Sequence, residues 1–204
     1  INSLKLLGKQ LEKIKVLILG AGSAGYGINK ILNSAGCKNT IVVDSNGAIY
    51  EGRKDLINNP FKLEIATQSN PKKIAGSLDS VIEGSDVFIG VSGKGNILNN
   101  KVVPSMNIDP IIFALSNPYP EILPPSALDA GAKIVATGRS DFPNQVNNAV
   151  IFPSVIRSLL DLRVKLLDDN LMVNVAYAIA NLLEGQHLKT DYIMAAINDP
   201  RILA

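Results

Sequence analysis

A single cysteine, Cys37, and a single histidine, His187, stand among 204 residues, and tryptophan is missing altogether. One thiol closes no intrachain disulfide and builds no multi-cysteine zinc site, and such sparing use of cysteine fits a reducing compartment. Charge of one sign is equally scarce. Lys and Arg number 20 against 18 Asp and Glu, leaving a net charge of +2, and no five like charges run together. That balance lacks the electrostatic footprint of a protein whose main partner is nucleic acid or a membrane surface. Apolar runs are strand-sized, far short of the ~20 residues a spanning helix requires, and no signal-peptide pattern is present. The expectation is a cytoplasmic protein that engages no nucleic acid and no membrane.

Glycine, by contrast, occurs in a patterned place. Val16 to Leu19 reads as a short buried strand that runs into Gly20-Ala21-Gly22-Ser23-Ala24-Gly25, after which Gly27 to Leu32 has helical spacing. A glycine-rich turn between strand and helix directs unpaired N–H groups and the positive end of the helix dipole at one point, which suits a pyrophosphate. In that pattern Gly20 permits the tight turn, Gly22 admits phosphate to the backbone beside Ser23 and Ala24, and Gly25 packs helix on strand. Glycine turns also arise from packing alone, so the second half of the pattern matters. Thr40 to Asp44 is a β-branched strand whose terminal acid lies 19 residues after Gly25, where a dinucleotide site sets a carboxylate on the adenosine ribose. The other reading of Asp44 is a cap on the turn at Asn46-Gly47.

Five short apolar strands can be named: 15–19, 40–44, 86–92, 110–116 and 133–138. Strands apolar on both faces belong in a parallel sheet covered on both sides, so the expected architecture is α/β, a Rossmann-type doubly wound, mainly parallel sheet. Helices are expected over 1–13, from Leu4, Leu7 and Leu11, over Gly76 to Glu83, and around Ser126 to Ala130. Polar residues dominate from Tyr50 to Lys73, with Asn58-Asn59-Pro60 and Ser69-Asn70-Pro71 as breakers. From Phe152 the texture turns helical. Asp168 to Glu184 carries a broad apolar face, with Asp168 or Asp169 at its start and Gly185 at its end, and a last helix covers about Asp191 to Ile197. Residues 1–204 are thus expected to form one nucleotide-binding domain, with helices of 152–204 on or beside the sheet. So wide an apolar face also suits a partner domain. The opening helix remnant and the initial Ile1 read as a piece of something longer.

Ligands of an open parallel sheet bind beyond the carboxyl ends of its strands. After the third strand, Ser92 and Gly93 are candidates for close approach to a cofactor, with Lys94 reaching solvent; an ordinary flexible loop is the competing reading. After the fourth, the amide of Asn117 offers donors and an acceptor to a ligand, although Asn-Pro also starts turns. After the fifth, Arg139 and Asp141 read as a mutual ion pair or as substrate contacts. The amides of Asn144, Gln145, Asn147 and Asn148 suit the orientation of a carboxylate or a carboxamide. His187 reads as a solvated helix-end residue rather than a base. No carboxylate pair, His/Cys cluster or nucleophile elbow can be assembled, so no catalytic residue is assigned within the chain.

Residues 111–122 and 136–148 closely resemble the malic enzyme family. The likeness takes in Gly20 to Gly25, Val43-Asp44-Ser45 with Gly47, Gly52-Arg53 and Asp86 to Ser92, and it spans Lys15 to about Ala180. The resemblance implies the C-terminal NAD(P)-binding domain of an enzyme that converts malate to pyruvate and carbon dioxide while reducing NAD or NADP, assisted by Mg or Mn. It implies that Asn117, and Asn147 or Asn148, face substrate and nicotinamide. It also implies that the catalytic lysine and tyrosine and the metal-holding carboxylates come from an N-terminal catalytic domain ahead of this sequence, and that the full-length protein is a homo-oligomer. The chain alone is then expected to bind dinucleotide without turning over malate. Asp44 favours NAD, because a carboxylate accepts from the ribose diol and repels a 2′-phosphate. Arg53 or Lys54 folding back would leave NADP open. The competing readings are a non-catalytic NAD-binding sensor or regulatory module and the NAD domain of another dehydrogenase.

Overall fold

An extended segment that is apolar on both sides is stable only between two covering layers, and the strands of this chain lie between two. The computed structural model describes residues 1–183 and 187–202. β1 (Val16–Leu19), β2 (Thr40–Asp44), β3 (Gly47–Ala48), β4 (Val87–Gly90), β5 (Ile111–Ala114) and β6 (Ile134–Thr137) form one sheet in the order β3-β2-β1-β4-β5-β6. All pairings are parallel except β2 with β3, a hairpin closed at Ser45-Asn46. Val16 of β1 sits beside Thr40 on one flank and Val87 on the other. The winding therefore reverses between β1 and β4, and the carboxyl ends of those two strands open a crevice.

Alternation along each strand divides the core in two. Val16, Ile18, Val42, Val87, Ile111 and Ile134 meet α1 (Asn2–Leu7), α2 (Ser23–Ser34) and α3 (Pro60–Gln68). Leu17, Leu19, Val43, Phe88 and Ile112 meet α4 (Leu78–Val81), α5 (Pro124–Asp129) and the 3-10 turn Asn100–Ser105. α6 (Phe152–Asp161) and α7 (Asp169–Asn181) complete the helices. α7 leans on α2 through an ion pair of Lys30 with Asp169 at 3.2 Å. α6 buries none of its residues fully, and Phe152 and Leu160 stay exposed. Among the described residues no helix is long and apolar enough to cross a membrane.

The five strands fall where their apolar runs predict, each trimmed by at most a few residues at its ends. The helices depart further. α1 stops at Leu7 because Gly8 turns left-handed at φ 63° and its N–H closes onto Lys5. α2 starts at Ser23, before Gly25 rather than after it. The 76–83 helix shrinks to α4, since Gly76 at φ 150° lies outside helical geometry. The polar stretch 50–73 contains α3. Asn59 accepts from the Lys62 N–H at 3.1 Å and Pro60 occupies the first turn, so the residues read as breakers are the start signal. Asp168, not Asp169, caps α7 by accepting from the Leu171 N–H at 2.8 Å. Gly185, its expected end, lies outside the described residues.

No helix forms over 191–197. The Asn144 side chain holds this segment, accepting from the Ile193 N–H at 2.9 Å and donating at 2.8 Å to the Thr190 carbonyl, which would accept the first intrahelical bond of such a helix. The segment instead runs as a strap whose Ile193 and Ala195 are buried.

Gly25 lies so close to β1 that a Cβ there would run into the Gly20 carbonyl oxygen, whereas a Cβ at Gly22 would meet nothing within 4 Å. Gly25→Ala is expected to lower stability by about 2 kcal/mol or more, because backbone must shift to admit the methyl. Gly22→Ala is expected to cost less than about 1 kcal/mol. Urea unfolding followed by circular dichroism checks both values, and equal costs would contradict the packing described.

Candidate functional site

The glycine turn lies at the mouth of the crevice. Gly20 has φ 116°, and its N–H donates to the Val43 carbonyl at 2.8 Å. A Cβ on Gly20 would stand 2.5 Å from the Val91 oxygen, so the turn is held against both neighbouring strands. Gly22 is the N-cap of α2 and offers no side chain to it. The first N–H groups of an α-helix have no intrahelical acceptor; here they belong to Ser23, Ala24 and Gly25 and open onto the crevice. Free N–H groups, a helix dipole and open space above Gly22 fit a pyrophosphate.

Asp44 closes the other half of the pattern, in company the sequence only partly signals. Its Oδ1 accepts from Arg53 Nη1 at 3.0 Å and from the Asn46 N–H at 2.9 Å. Its Oδ2 accepts from Arg53 Nη2 and Lys62 Nζ, both at 2.6 Å. The side chain is 5% exposed. Burial pushes the carboxyl up, but hydrogen bonds from Arg53, Lys62 and the Asn46 N–H outweigh it and hold the pKa at about 2. Arg53 is itself fixed by Asp55 at 2.8 Å and by the carbonyls of Gly47 and Ala48. Arg53 thus folds back as the sequence allows, while the second cation is Lys62 of α3 rather than Lys54. A cavity of about 490 Å³ opens beside Asp44, lined also by Leu19, Ser45, Leu78 and Lys94.

The loops beyond β4, β5 and β6 meet at the same edge. Ser92 donates through Oγ to Glu121 Oε1 at 3.0 Å, and the Gly93 N–H donates to Ser116 Oγ at 2.8 Å. These donors thus serve the protein. Asn117 is exposed, precedes a cis peptide to Pro118, and lies with its amide 3.3 Å from where a Cβ on Gly138 would stand, so the ends of β5 and β6 converge there.

The amide-rich stretch divides. Asn144 is buried and staples the 190–193 strap. Asn147 caps the 3-10 turn Asn148–Val150 by accepting from the Ala149 N–H at 2.9 Å. Asn148 is exposed and its side chain makes no hydrogen bond among the described residues.

Arg139 and Asp141 pair in a fork at 2.8 and 2.6 Å, with the guanidinium 5.3 Å from the Phe142 ring centre, which supports the structural reading of both. His187 is exposed. Burial pushes the Cys37 thiol up to about 11, so it stays protonated. The residue that sequence reasoning passes over is Glu121, fully buried among the β4 and β5 loops. Its only sequence signal is an acid set in the apolar string Pro120-Glu121-Ile122-Leu123.

Residues 1–203 match the family model described as malic enzyme, NAD binding domain. The chain belongs to the malic enzyme family. It is 46% identical over 202 residues to the bifunctional malic/malolactic enzyme of Bacillus subtilis, covering 99% of this chain and 49% of that protein. The NADP-dependent malic enzyme of Haemophilus influenzae is 37% identical over 220 residues, with coverage of 100% and 28%. The crystal structure of the NAD-dependent malic enzyme of Thermotoga maritima superposes with a TM-score of 0.91 at 42% identity, over 99% of this chain and 52% of that one. This malic enzyme domain therefore spans about half or less of the length of these curated relatives. Among the described residues, no group of three or more His, Cys, Asp or Glu side chains is arranged to hold a metal ion. The divalent metal implied by the family does not fit the described residues.

The depressed Asp44 pKa sets a sign. A carboxyl whose folded pKa lies below its ordinary 3.8 adds stability above that value and loses it as pH falls through about 2. The contribution is about 2 kcal/mol. Wild-type urea midpoints are expected to fall between about pH 4 and pH 2, and Asp44→Asn is expected to flatten that slope; an unchanged slope would contradict the cation clamp.

Proposed function

We propose that this chain is the cofactor-binding half of a malic enzyme, an oxidoreductase that decarboxylates malate to pyruvate with reduction of NAD or NADP. In this reading the pyrophosphate rests on the N–H groups of Ser23, Ala24 and Gly25 beside Gly20 and Gly22, and the adenosine ribose lies at Asp44. The nicotinamide end crosses the crevice to the loops of Ser92, Gly93 and Asn117. The exposed amides of Asn117 and Asn148 then orient the malate carboxylates or the carboxamide, while Asn147 shapes the turn that presents Asn148. When bound, the nicotinamide supplies the hydride acceptor; the residues of this chain bind, orient and exclude water. A cytoplasmic setting belongs to the same reading.

The observation that carries the proposal is the convergence of the glycine turn, Asp44 and the Asn117 loop on one sheet edge, in a chain matched by the family model over 1–203. The catalytic and metal-holding groups are assigned to the part of the enzyme that relatives about twice this length contain. Ile156, Leu160 and Leu162 leave an apolar face beside α7, and Ile1, Asn2 and Ser3 line an adjoining cavity with Ile151 and Ile179.

Two measurements test this. The 204-residue chain is expected to bind dinucleotide yet form no NADH or NADPH from malate with added manganese or magnesium, whereas the full-length protein does so; turnover by the chain alone would overturn the division of labour. Cofactor choice turns on Asp44, whose oxygens each already accept two hydrogen bonds. NAD is the favoured cofactor, with Arg53 and Lys62 offsetting the repulsion of a 2′-phosphate. Asp44→Ala is expected to weaken NAD binding about tenfold and NADP less. Equal losses would remove the ribose assignment.

A further inference from the structure

Glu121 is a fully buried acid in the loop after β5. A carboxylate is costly to bury unless donors surround it, and four do. The Ser92 N–H and the Ser92 hydroxyl each donate to Oε1 at 3.0 Å, the Ser116 hydroxyl donates to the same oxygen, and the Ser116 N–H donates to Oε2 at 3.2 Å. Two donors come from the loop after β4 and two from the loop after β5. The Ser116 oxygen in turn accepts from the Gly93 N–H at 2.8 Å. Main-chain bonds follow the same path: the Asn96 N–H donates to the Pro120 carbonyl and the Leu98 N–H to the Glu121 carbonyl, each at 2.9 Å. Gly90 adds an independent sign. It lies in β4 with ordinary strand geometry, yet a Cβ there would run into the Glu121 carboxyl carbon. An inner strand of the sheet thus leaves out a side chain where the carboxylate stands.

We propose that Glu121 is a positioning residue for the nicotinamide end of the dinucleotide site. One carboxylate ties Ser92 and Gly93 to Ser116, and Ser116 directly precedes Asn117, so Glu121 fixes how far the Asn117 amide stands from the Ser92-Gly93 turn. The proposal rests on the reading that the nicotinamide end crosses these loops. The adenosine end depends on other groups, Gly20 to Gly25 and Asp44, none of which touches Glu121 among the hydrogen bonds of the described residues. Glu121 therefore acts on one half of the cofactor and not on the other.

Glu121→Gln keeps the shape but turns an NH2 toward a backbone N–H, and Ser116→Ala removes only the hydroxyl that links Glu121 to Gly93. The test measures dissociation constants of the 204-residue chain for NADH, NADPH and AMP by calorimetry. AMP probes the adenosine end alone. Glu121→Gln is expected to weaken the tighter dinucleotide about tenfold while AMP binding stays within about twofold, and Ser116→Ala to give the same pattern at smaller size. A merely structural role moves the melting temperature and leaves the dinucleotide-to-AMP ratio unchanged. If Glu121→Gln does not fold, Ser116→Ala decides by that ratio. An unchanged ratio, or parallel loss of dinucleotide and AMP, overturns the proposal. A wild-type chain that binds none of the three overturns the cofactor reading itself.

Discussion

The contact between Gly25 of α2 and the Gly20 carbonyl of the turn is the constraint on which the rest depends. No side chain fits between them, so helix and strand meet backbone to backbone. That approach fixes the start of α2 at Ser23 and aims its free N–H groups along the sheet edge rather than away from it. Gly20 is pinned at the same time to β2 through Val43 and crowded by Val91 beyond β4. The crevice where the winding reverses thus has a rigid floor made of main chain. Gly22 faces open space and is small for whatever approaches from outside.

Electrostatics then separates the two ends of that edge. At the β2 end a buried carboxylate is held by two cations, and its strongly lowered pKa shows that partner bonds outweigh desolvation. At the β4 and β5 end another buried carboxylate is held by hydroxyls and backbone N–H groups instead. Asp44 is paired with the charges of Arg53 and Lys62. Glu121 has its acceptor sites filled by the loops themselves and contributes shape. The two acids differ in what surrounds them: cations hold one, hydroxyls and N–H groups the other.

The uneven legibility of the sequence follows from the range over which each signal acts. Parallel strands buried on both faces must be apolar throughout, so their five runs could be read directly, as could the glycine turn and the acid at the end of β2. Helix boundaries depend on local competition. Gly8 ends α1 early, Asn59-Pro60 begins α3 where the local sequence reads as a break, and Asn144 takes the Thr190 carbonyl that a helix over 191–197 would use. The amides after β6 look alike in sequence because composition cannot say which side chain finds a backbone partner. Three of them, Asn144, Gln145 and Asn147, do; Asn148 has no side-chain hydrogen bond among the described residues.

The sequence by itself determined a doubly wound sheet and the place of its glycine turn, and its loop strings pointed to the malic enzyme family, because those features reside in short contiguous patterns. Tertiary structure decided which distant residues share a charge or a hydrogen bond. Lys62 reaches Asp44 across 18 residues, and Ser92 reaches Glu121 across 29. Neither pair has a sequence period that announces it. Both exist because parallel strands bring the ends of separate crossovers to one edge, where buried carboxylates take the nearest donors.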